Sequence, residues 1–348
     1  MIRRPSLILL FSSALLLAAC SNSTPSALVL KTSTPTTPPP PPHYNALSGR
    51  IGPDGQVLAV KVDDTGPAHP QIGLEDADVV YVEQVEGGLT RLAAIFSSTI
   101  PAQIGPVRSA RISDIDLLAQ YGKVAFAYSG AQAKMRPVIA AANLVNLSAG
   151  AQPASIFARD STRSAPVNLL LNAPKLMPKA PDAVTAHNVG WTFGPAPLGG
   201  VPIIGVSVRW PDSHYQATWS QAEGRWLLAH DKTPDLASSG VHLGPTTLVI
   251  QQVLMHPSPY GDKFGSNTPM SETVGDGTGW ILRDGKAYQT TWSRTSAESG
   301  TLWRLADGSE MPFAAGSIWV FLSDKSKAPV FQTPVPEPSA TPSASVTK

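Results

Sequence analysis

The sequence predicts an α+β protein in which a mixed α/β-type N-terminal domain precedes a smaller, mostly-β C-terminal domain. Short apolar strands alternate with helical stretches over residues 46–195. Residues 200–328 instead contain alternating runs separated by turns such as Asp284-Gly285 and Asp307-Gly308. All eight tryptophans lie at or after Trp191. This shift in composition predicts a domain boundary at the Gly- and Pro-rich segment 194–202.

The chain begins with the features of a bacterial lipoprotein signal. Arg3 and Arg4 precede an apolar run over residues 7–19, which is too short to span a bilayer as a helix. Leu-Ala-Ala-Cys follows, and Cys20 is the only cysteine of the chain. We therefore predict a signal peptide over residues 1–20 and lipidation of Cys20, palmitate included, which would anchor the protein to the extracytoplasmic face of the cell membrane. An ordinary secretory signal is the alternative.

Segments of biased composition flank the predicted domains. Residues 21–45 are rich in Ser, Thr and Pro and predict a disordered stalk, and residues 329–348 predict a disordered tail. The formal net charge is +1, which gives no reason to expect nucleic acid as a partner.

The sequence of the N-terminal domain predicts a series of short strands and helices. Alternation over residues 56–64 predicts a strand, and residues 78–96 predict a hairpin joined by Gly87-Gly88. Ser113 as N-cap and Gly122 as terminator predict a short helix. Residues 123–131 predict a further strand, and a second helix begins near Lys134. In the C-terminal domain the tryptophans favour core packing, with an aromatic platform for carbohydrate as the alternative.

Several kinds of active site lack their sequence signatures. No H-E-x-x-H, G-x-S-x-G, P-loop or G-x-G-x-x-G pattern occurs. Because the single cysteine is assigned to lipid, we expect neither a metal site nor a cofactor. His69 is the only histidine between Val57 and Asp182, so it is the one base available for a Ser-His-Asp triad there. Its position between turn prolines favours a loop residue instead.

Ionisable residues are concentrated between Lys61 and Asp116. Nine acids occur in this stretch: Asp63, Asp64, Glu75, Asp76, Asp78, Glu83, Glu86, Asp114 and Asp116. The segment IGPVRSARISDIDLL, residues 104–118, adds two arginines on either side of a Ser-Ala pair. If Gly87-Gly88 forms a two-residue turn, Glu86 and Arg91 share one face of the hairpin and Glu83 lies on the other.

Three interpretations of these charges stay open: a structural network of ion pairs, a ligand-binding pocket, or a catalytic site. We expect residues 105–111 to be an extended or looped segment that carries Arg108, Ser109 and Arg111 toward the hairpin. Buried arginines need carboxylate partners, and Glu83, Glu86, Asp63 and Asp114 are the expected ones. The candidate ligand-binding residues are therefore Asp63, Asp64, Glu83, Glu86, Arg91, Arg108, Ser109, Arg111 and Asp114.

The stretches AVKVDDTGPAHP, IGPVRSARISDIDLLAQYG and GDGTGWILRDGKAYQTTWSR carry a resemblance. In their order they are similar to the YerB-like, or DUF3048, family of bacterial lipoproteins, most densely over residues 49–131. Members often have a polar ring such as histidine before the asparagine of the segment that reads RSAPVNLL here. This chain has Val167 before Asn168, which argues against a ring-based role at that place. The resemblance implies the fold and a membrane location, and no activity.

Two functions follow as expectations. The first is a binding or assembly factor of the cell envelope, which uses the charged pocket for a cell-wall glycan or an envelope protein. The second is a hydrolase of cell-wall polymer that uses two of Asp63, Asp64, Glu83 and Glu86 as acid and base.

Overall fold

A computed structural model describes residues 41–262 and 265–335. Those from Pro42 onward belong to one compact unit. The predicted signal peptide, the lipidation site at Cys20, most of the predicted stalk and the end of the predicted tail lie outside the described residues.

Strands predominate among the described residues, and the three α-helices are short. The strands are β1 (Leu58–Asp63), β2 (Val79–Gln84), β3 (Thr90–Phe96), β4 (Gln103–Ile104), β5 (Val124–Tyr128), β6 (Leu144–Ser148), β7 (Phe157–Arg159), β8 (Leu169–Asn172), β9 (Val201–Pro202), β10 (Gly205–Trp210), β11 (Ser213–Ser220), β12 (Arg225–His230), β13 (Thr233–Pro234), β14 (Thr247–Val253), β15 (Met255–Gly261), β16 (Asn267–Ser271), β17 (Gly275–Arg283), β18 (Lys286–Arg294), β19 (Leu302–Arg304), β20 (Ile318–Asp324) and β21 (Val330–Gln332). The helices are α1 (Ser113–Ala119), α2 (Arg136–Ala141) and α3 (Ala173–Leu176). The fold is thus more β-rich than the α+β prediction, without conflicting with it.

Most strands lie in one large mixed sheet. Its order is β19-β18-β17-β14-β20-β2-β3-β1-β5-β6, with β9 paired to β18 as the eleventh strand. β20 runs parallel to both β14 and β2, so its pairing with β2 joins the strands from either side of the predicted boundary into one sheet. The boundary at residues 195–200 itself stays a prediction.

The large sheet carries a hydrophobic core on each face. On one face, Val60 and Val82 share a core with Tyr215 and Trp226 of a second sheet, whose order is β13-β12-β11-β10-β21. The opposite face packs against α1 through Leu117 and its neighbours. Because side chains alternate along a strand, successive residues of β1 point into different layers of the molecule.

The tryptophans belong to these cores. Six of the eight are buried, and Trp219 and Trp280 are half-buried. The indole of Trp226 donates to the carbonyl oxygen of Leu282 at 3.1 Å, as buried indoles require. Core packing therefore accounts for them, and the alternative of an exposed aromatic platform for carbohydrate is not supported.

Three boundaries differ from those predicted. Asn45, at the predicted end of the stalk, is buried and donates to Ser97 Oγ at 2.8 Å. Val330–Gln332, inside the predicted tail, pair with β10. Ser113 opens α1 but is not its N-cap, because its hydroxyl accepts the backbone N–H of Ser271 at 3.0 Å. Contacts distant in sequence decide all three places.

Candidate anion-binding cleft

The hairpin of β2 and β3 has a longer loop than the sequence predicted. Glu83 pairs with Arg91 and Gln84 with Thr90, so Val85 to Leu89 form the connection. Gly87 and Gly88 adopt φ angles of 71° and 78° within this loop, which glycine tolerates without strain. The predicted register was therefore wrong. Glu83 faces the same side of the sheet as Arg91.

β3 lies between β2 and β1, and Asp63 of β1 pairs with Arg91 on the side opposite to Glu83. Asp63 and Glu83 thus flank Arg91, and Lys61 lies on the same face two residues before Asp63. Asp64 points to the opposite face. The candidate acids at the end of β1 therefore belong to two separate sites.

The extended segment that we predicted from residue 105 to residue 111 is present. The backbone N–H of Asp63 donates to Pro106 O at 2.9 Å, and that of Arg108 donates to Lys61 O at 2.8 Å. These bonds hold the segment alongside β1. Nε of Arg108 contacts Oδ2 of Asp63, an expected partner, so the arginine lies above the end of the strand.

Arg111 is paired with protein groups. Its Nε and Nη2 contact the two carboxylate oxygens of Glu86 at 2.6 and 2.7 Å, and its Nη1 donates to Ala110 O at 2.9 Å. The hydroxyl of Thr268 also donates to Glu86. Although burial raises the pKa of Glu86, the hydrogen bonds and charge of Arg111 hold it below its usual range. This pair is structural and fastens the hairpin loop.

Arg91 differs from both other arginines. It is 8% exposed, and within 4.0 Å it forms no ion pair with any described residue. Among the described residues, its guanidinium donates one hydrogen bond, from Nη1 to Ser109 O at 3.3 Å. Burial, followed by the charges of Arg111 and Arg108, lowers the pKa of Arg91 to about 10. A buried guanidinium with this little compensation is unusual, because burial of an unpaired charge is costly.

The three arginines line one cleft of about 810 Å³. Its wall also includes the acids Glu86 and Asp262 and the residues Thr65, Ser109, Gly130, Gln132, Gly261 and Ser266. Hydroxyl, amide and guanidinium donors thus face a common space. The volume is in the range of cavities that hold small molecules or one unit of a polymer.

A second cleft of about 780 Å³ adjoins the first and shares Val85 and Gly87 with it. Trp210, Met255 and Pro257 contribute apolar surface there. None of the predicted site residues lines this second cleft. Of these two clefts, only the arginine-lined one therefore contains predicted site residues.

Glu83 and Asp114 do not line the cleft. Both contact the ammonium group of Lys61, Asp114 at 2.7 Å, and all three side chains are buried. Burial, then the neighbouring charge of Asp114, raises the pKa of Glu83 to about 8 despite Lys61. Lys61 was not predicted as a member of this charged network. The sequence feature that could have indicated it is a lysine within an apolar strand, on the same face as Asp63.

Asp64 lies on the other face of the large sheet. Its carboxylate accepts the hydroxyls of Tyr215 at 2.7 Å and Thr90 at 2.5 Å. The structure thus brings Asp63, Glu86, Arg91, Arg108, Ser109 and Arg111 together and places Glu83, Asp114 and Asp64 elsewhere.

Comparison with known proteins gives consistent results. Residues 48–186 match the N-terminal domain, and residues 206–320 the C-terminal domain, of the protein family of unknown function DUF3048. The chain is 50% identical over 54 residues to the predicted lipoprotein YerB of Bacillus subtilis (strain 168), a match that spans 16% of each protein. The crystal structure of YerB from Bacillus subtilis superposes with a TM-score of 0.70 at 21% identity, covering 83% of this chain and 99% of that one.

Proposed function

The chain belongs to the DUF3048 family, and we propose that it is a membrane-anchored envelope lipoprotein that binds an anionic polymer through the cleft around Arg91. Phosphate or carboxylate groups of a cell-wall glycan are the ligands that such a cleft suits. A guanidinium presents a planar fork of donors that matches either group.

This proposal rests on the buried, poorly compensated charge of Arg91. Asp63 and Glu86 compensate Arg108 and Arg111, but Arg91 retains a charge that no described carboxylate contacts within 4.0 Å. An incoming anion would receive donors from Arg91 and from the partly exposed Arg108, which is 23% exposed. Binding would also relieve the repulsion among the arginines. Because the guanidinium of Arg91 is buried, its attraction to an anion is screened less than it would be in water.

The arrangement gives less support to a hydrolase. Acid–base cleavage of a glycosidic bond requires two carboxyl groups across an open cleft. Asp63 and Glu86 are held by arginines, Glu83 is buried against Lys61, and Asp64 lies on the other face of the sheet. None of the four combines access to the cleft with a free carboxyl group.

Membrane attachment rests on the sequence and on the relative. YerB is a predicted lipoprotein, and no helix in the described part of the chain is long and apolar enough to cross a membrane. We expect Cys20→Ser to leave an uncleaved precursor or to release the protein from the membrane fraction. Fractionation and mass spectrometry of the parent and the variant test this. Unchanged processing and fractionation of the variant would argue for an ordinary secretory signal.

Binding can be measured with defined anions. We expect an oligomer of glycerol phosphate or of galacturonate to raise the melting temperature and to give a calorimetric binding signal that weakens with salt. The comparison of the two probes identifies phosphate or carboxylate as the preferred group. A neutral chitooligosaccharide serves as the uncharged glycan control. Absence of binding by both anions at low salt would refute the proposal.

Two arginine variants separate binding from stability. Arg91→Met should reduce affinity at least tenfold while leaving the melting temperature unchanged or higher, because it removes a poorly compensated buried charge. Arg111→Met should instead lower the free energy of unfolding by about 1–3 kcal/mol, because Glu86 loses its partner. Arg304→Met, which removes an exposed arginine, is the matched control and should change neither. An Arg91→Met variant that binds like the parent would contradict the assignment.

A further inference from the structure

A second polar cluster lies on the opposite face of the large sheet, at the end of β1. It consists of Asp64, Gln71, His69, His230 and Asp235 and is called the Asp64 cluster below. Asp64 is fully buried, and the His69 and His230 side chains are 18% and 7% exposed. The loop after β1 supplies three members, His230 ends β12, and Asp235 directly follows β13. It is independent of the arginine cleft.

Three of these residues present metal-ligating atoms to one another. One ligand atom each from Asp64, His69 and His230 lies within 4.8 Å of the other two. Oδ1 of Asp64 is 3.4 Å from Nε2 of His69, and Oδ2 is 3.9 Å from Nε2 of His230. Ligands of a tetrahedral Zn²⁺ ion at about 2.0–2.2 Å are separated by roughly 3.3–3.6 Å. The Asp64–His69 contact already has this spacing, whereas Nε2 of His230, 3.9 Å from the other carboxylate oxygen, must move closer to the ion.

Gln71 supports the cluster from one side. Its amide nitrogen donates to Oδ1 of Asp64 at 3.3 Å and to Asp63 O at 3.4 Å, and it lies 3.2 Å from Nε2 of His69. The amide therefore helps to hold the Asp64 carboxylate in place and is not itself one of the metal-ligating groups.

The groups around the cluster orient the ligands. Nδ1 of His69 is 3.0 Å from Oδ1 of Asp235, the carboxylate–histidine contact that commonly supports a metal-bound imidazole. Tyr215 and Thr90 donate to Asp64 and fix its carboxylate. Ser213 Oγ is 3.2 Å from Nε2 of His230 and 2.8 Å from Thr90 Oγ1. The serine hydroxyl can thus keep Thr90 as a partner when a metal takes the imidazole nitrogen.

We propose that Asp64, His69 and His230 bind a divalent transition-metal ion, Zn²⁺ in preference to Mg²⁺ or Ca²⁺. Two imidazoles and one carboxylate favour Zn²⁺, whereas the alkaline-earth ions prefer oxygen ligands alone. A water molecule takes the fourth position, and the partly exposed edge of His69 provides the path of entry. The ion would join the end of β1 to β12. No metal site was predicted from the sequence, because His69 and His230 are distant in sequence and belong to no contiguous motif.

The test uses the untagged full chain, stripped with a chelator and then dialysed against Zn²⁺ alone. We expect one Zn²⁺ per chain by elemental analysis, and a melting temperature several degrees above that of the stripped protein. Substitution with Co²⁺ should give the visible absorption of a tetrahedral site. Mg²⁺ at the same concentration should have no effect. A stripped protein that takes up no stoichiometric Zn²⁺ would overturn the proposal.

Variants locate the site. His69→Ala and His230→Ala should each lower Zn²⁺ affinity at least a hundredfold, whereas His214→Ala should retain it. His214 is a buried histidine of β11 that contacts Ser207 Oγ and lies outside the cluster. His256→Ala controls for surface binding by the exposed His256–Glu272 pair. Full Zn²⁺ occupancy in both cluster variants would refute the assignment. Should either variant fail to fold, the stoichiometry and Co²⁺ spectrum of the parent decide the question.

Discussion

Lys61→Met is expected to destabilise the fold more than any other single charge removal in the described residues. Lys61 is fully buried and is the only cation in contact with Glu83 and Asp114. Removing one partner of a buried ion pair costs about 3–5 kcal/mol, because the remaining charge cannot return to water. Methionine retains most of the apolar volume of the lysine stem, so the loss reports charge more than packing. Urea unfolding of both proteins measures the difference.

Two further variants make this prediction specific. Lys123→Met removes an exposed lysine that lies 3.7 Å from Asp182, and it should change stability by less than about 1 kcal/mol. Adding Glu83→Gln and Asp114→Asn to Lys61→Met should recover a large part of the loss, because no uncompensated carboxylate then remains. If Lys61→Met is as stable as the Lys123 variant, the buried cluster is not held by its charges.

The sequence predicted those parts of the fold that depend on local pattern. Alternation identified β1 and the strands of the hairpin, and the segment after Gly105 was extended as expected. Opposite charge also predicted Asp63 and Glu86 as arginine partners, because buried guanidinium groups require carboxylates. These inferences needed only the spacing of neighbouring residues and the cost of burying a charge.

The hairpin register could not be predicted in this way. A change of one residue in loop length turns every side chain of a strand to the opposite face. A two-residue turn at Gly87-Gly88 was consistent with the sequence, but Gly88 packs so closely on Pro211 that a Cβ atom there would lie 2.5 Å from the ring. This contact involves a distant part of the chain. It helps set the longer loop, which in turn places Glu83 beside Lys61.

The Asp64 cluster was beyond prediction for a related reason. The parallel pairing of β20 with both β14 and β2 merges the two halves of the chain into one sheet. Only this pairing brings the second sheet, with His230, against the end of β1. No periodicity in either half carries information on such a contact, since strand order depends on which distant edges meet.

The second large expected effect is a fall in stability with rising pH, and it is caused by the titration of Glu83. Its pKa rises from the ordinary 4.5 to about 8 in the folded protein, because the carboxyl group is buried beside Asp114. The folded state therefore keeps a proton that the unfolded state releases. The contribution of Glu83 is fully present below about pH 4.5 and is lost as the pH rises through about 8. Since each pKa unit corresponds to ~1.4 kcal/mol, the loss across this window should be a few kcal/mol.

Glu83→Gln isolates this contribution. Glutamine stays neutral at every pH, so the stability of the parent relative to this variant should fall steadily between pH 5 and pH 8, while all other titrating groups cancel. Urea unfolding at pH 5, 6, 7 and 8 measures the difference, with Glu310→Gln as an exposed control that should track the parent. A difference that is constant with pH would mean that Glu83 has the same charge in the folded and unfolded states. Lys61 would then balance two buried carboxylates at once, and the folded protein would not hold a proton on Glu83.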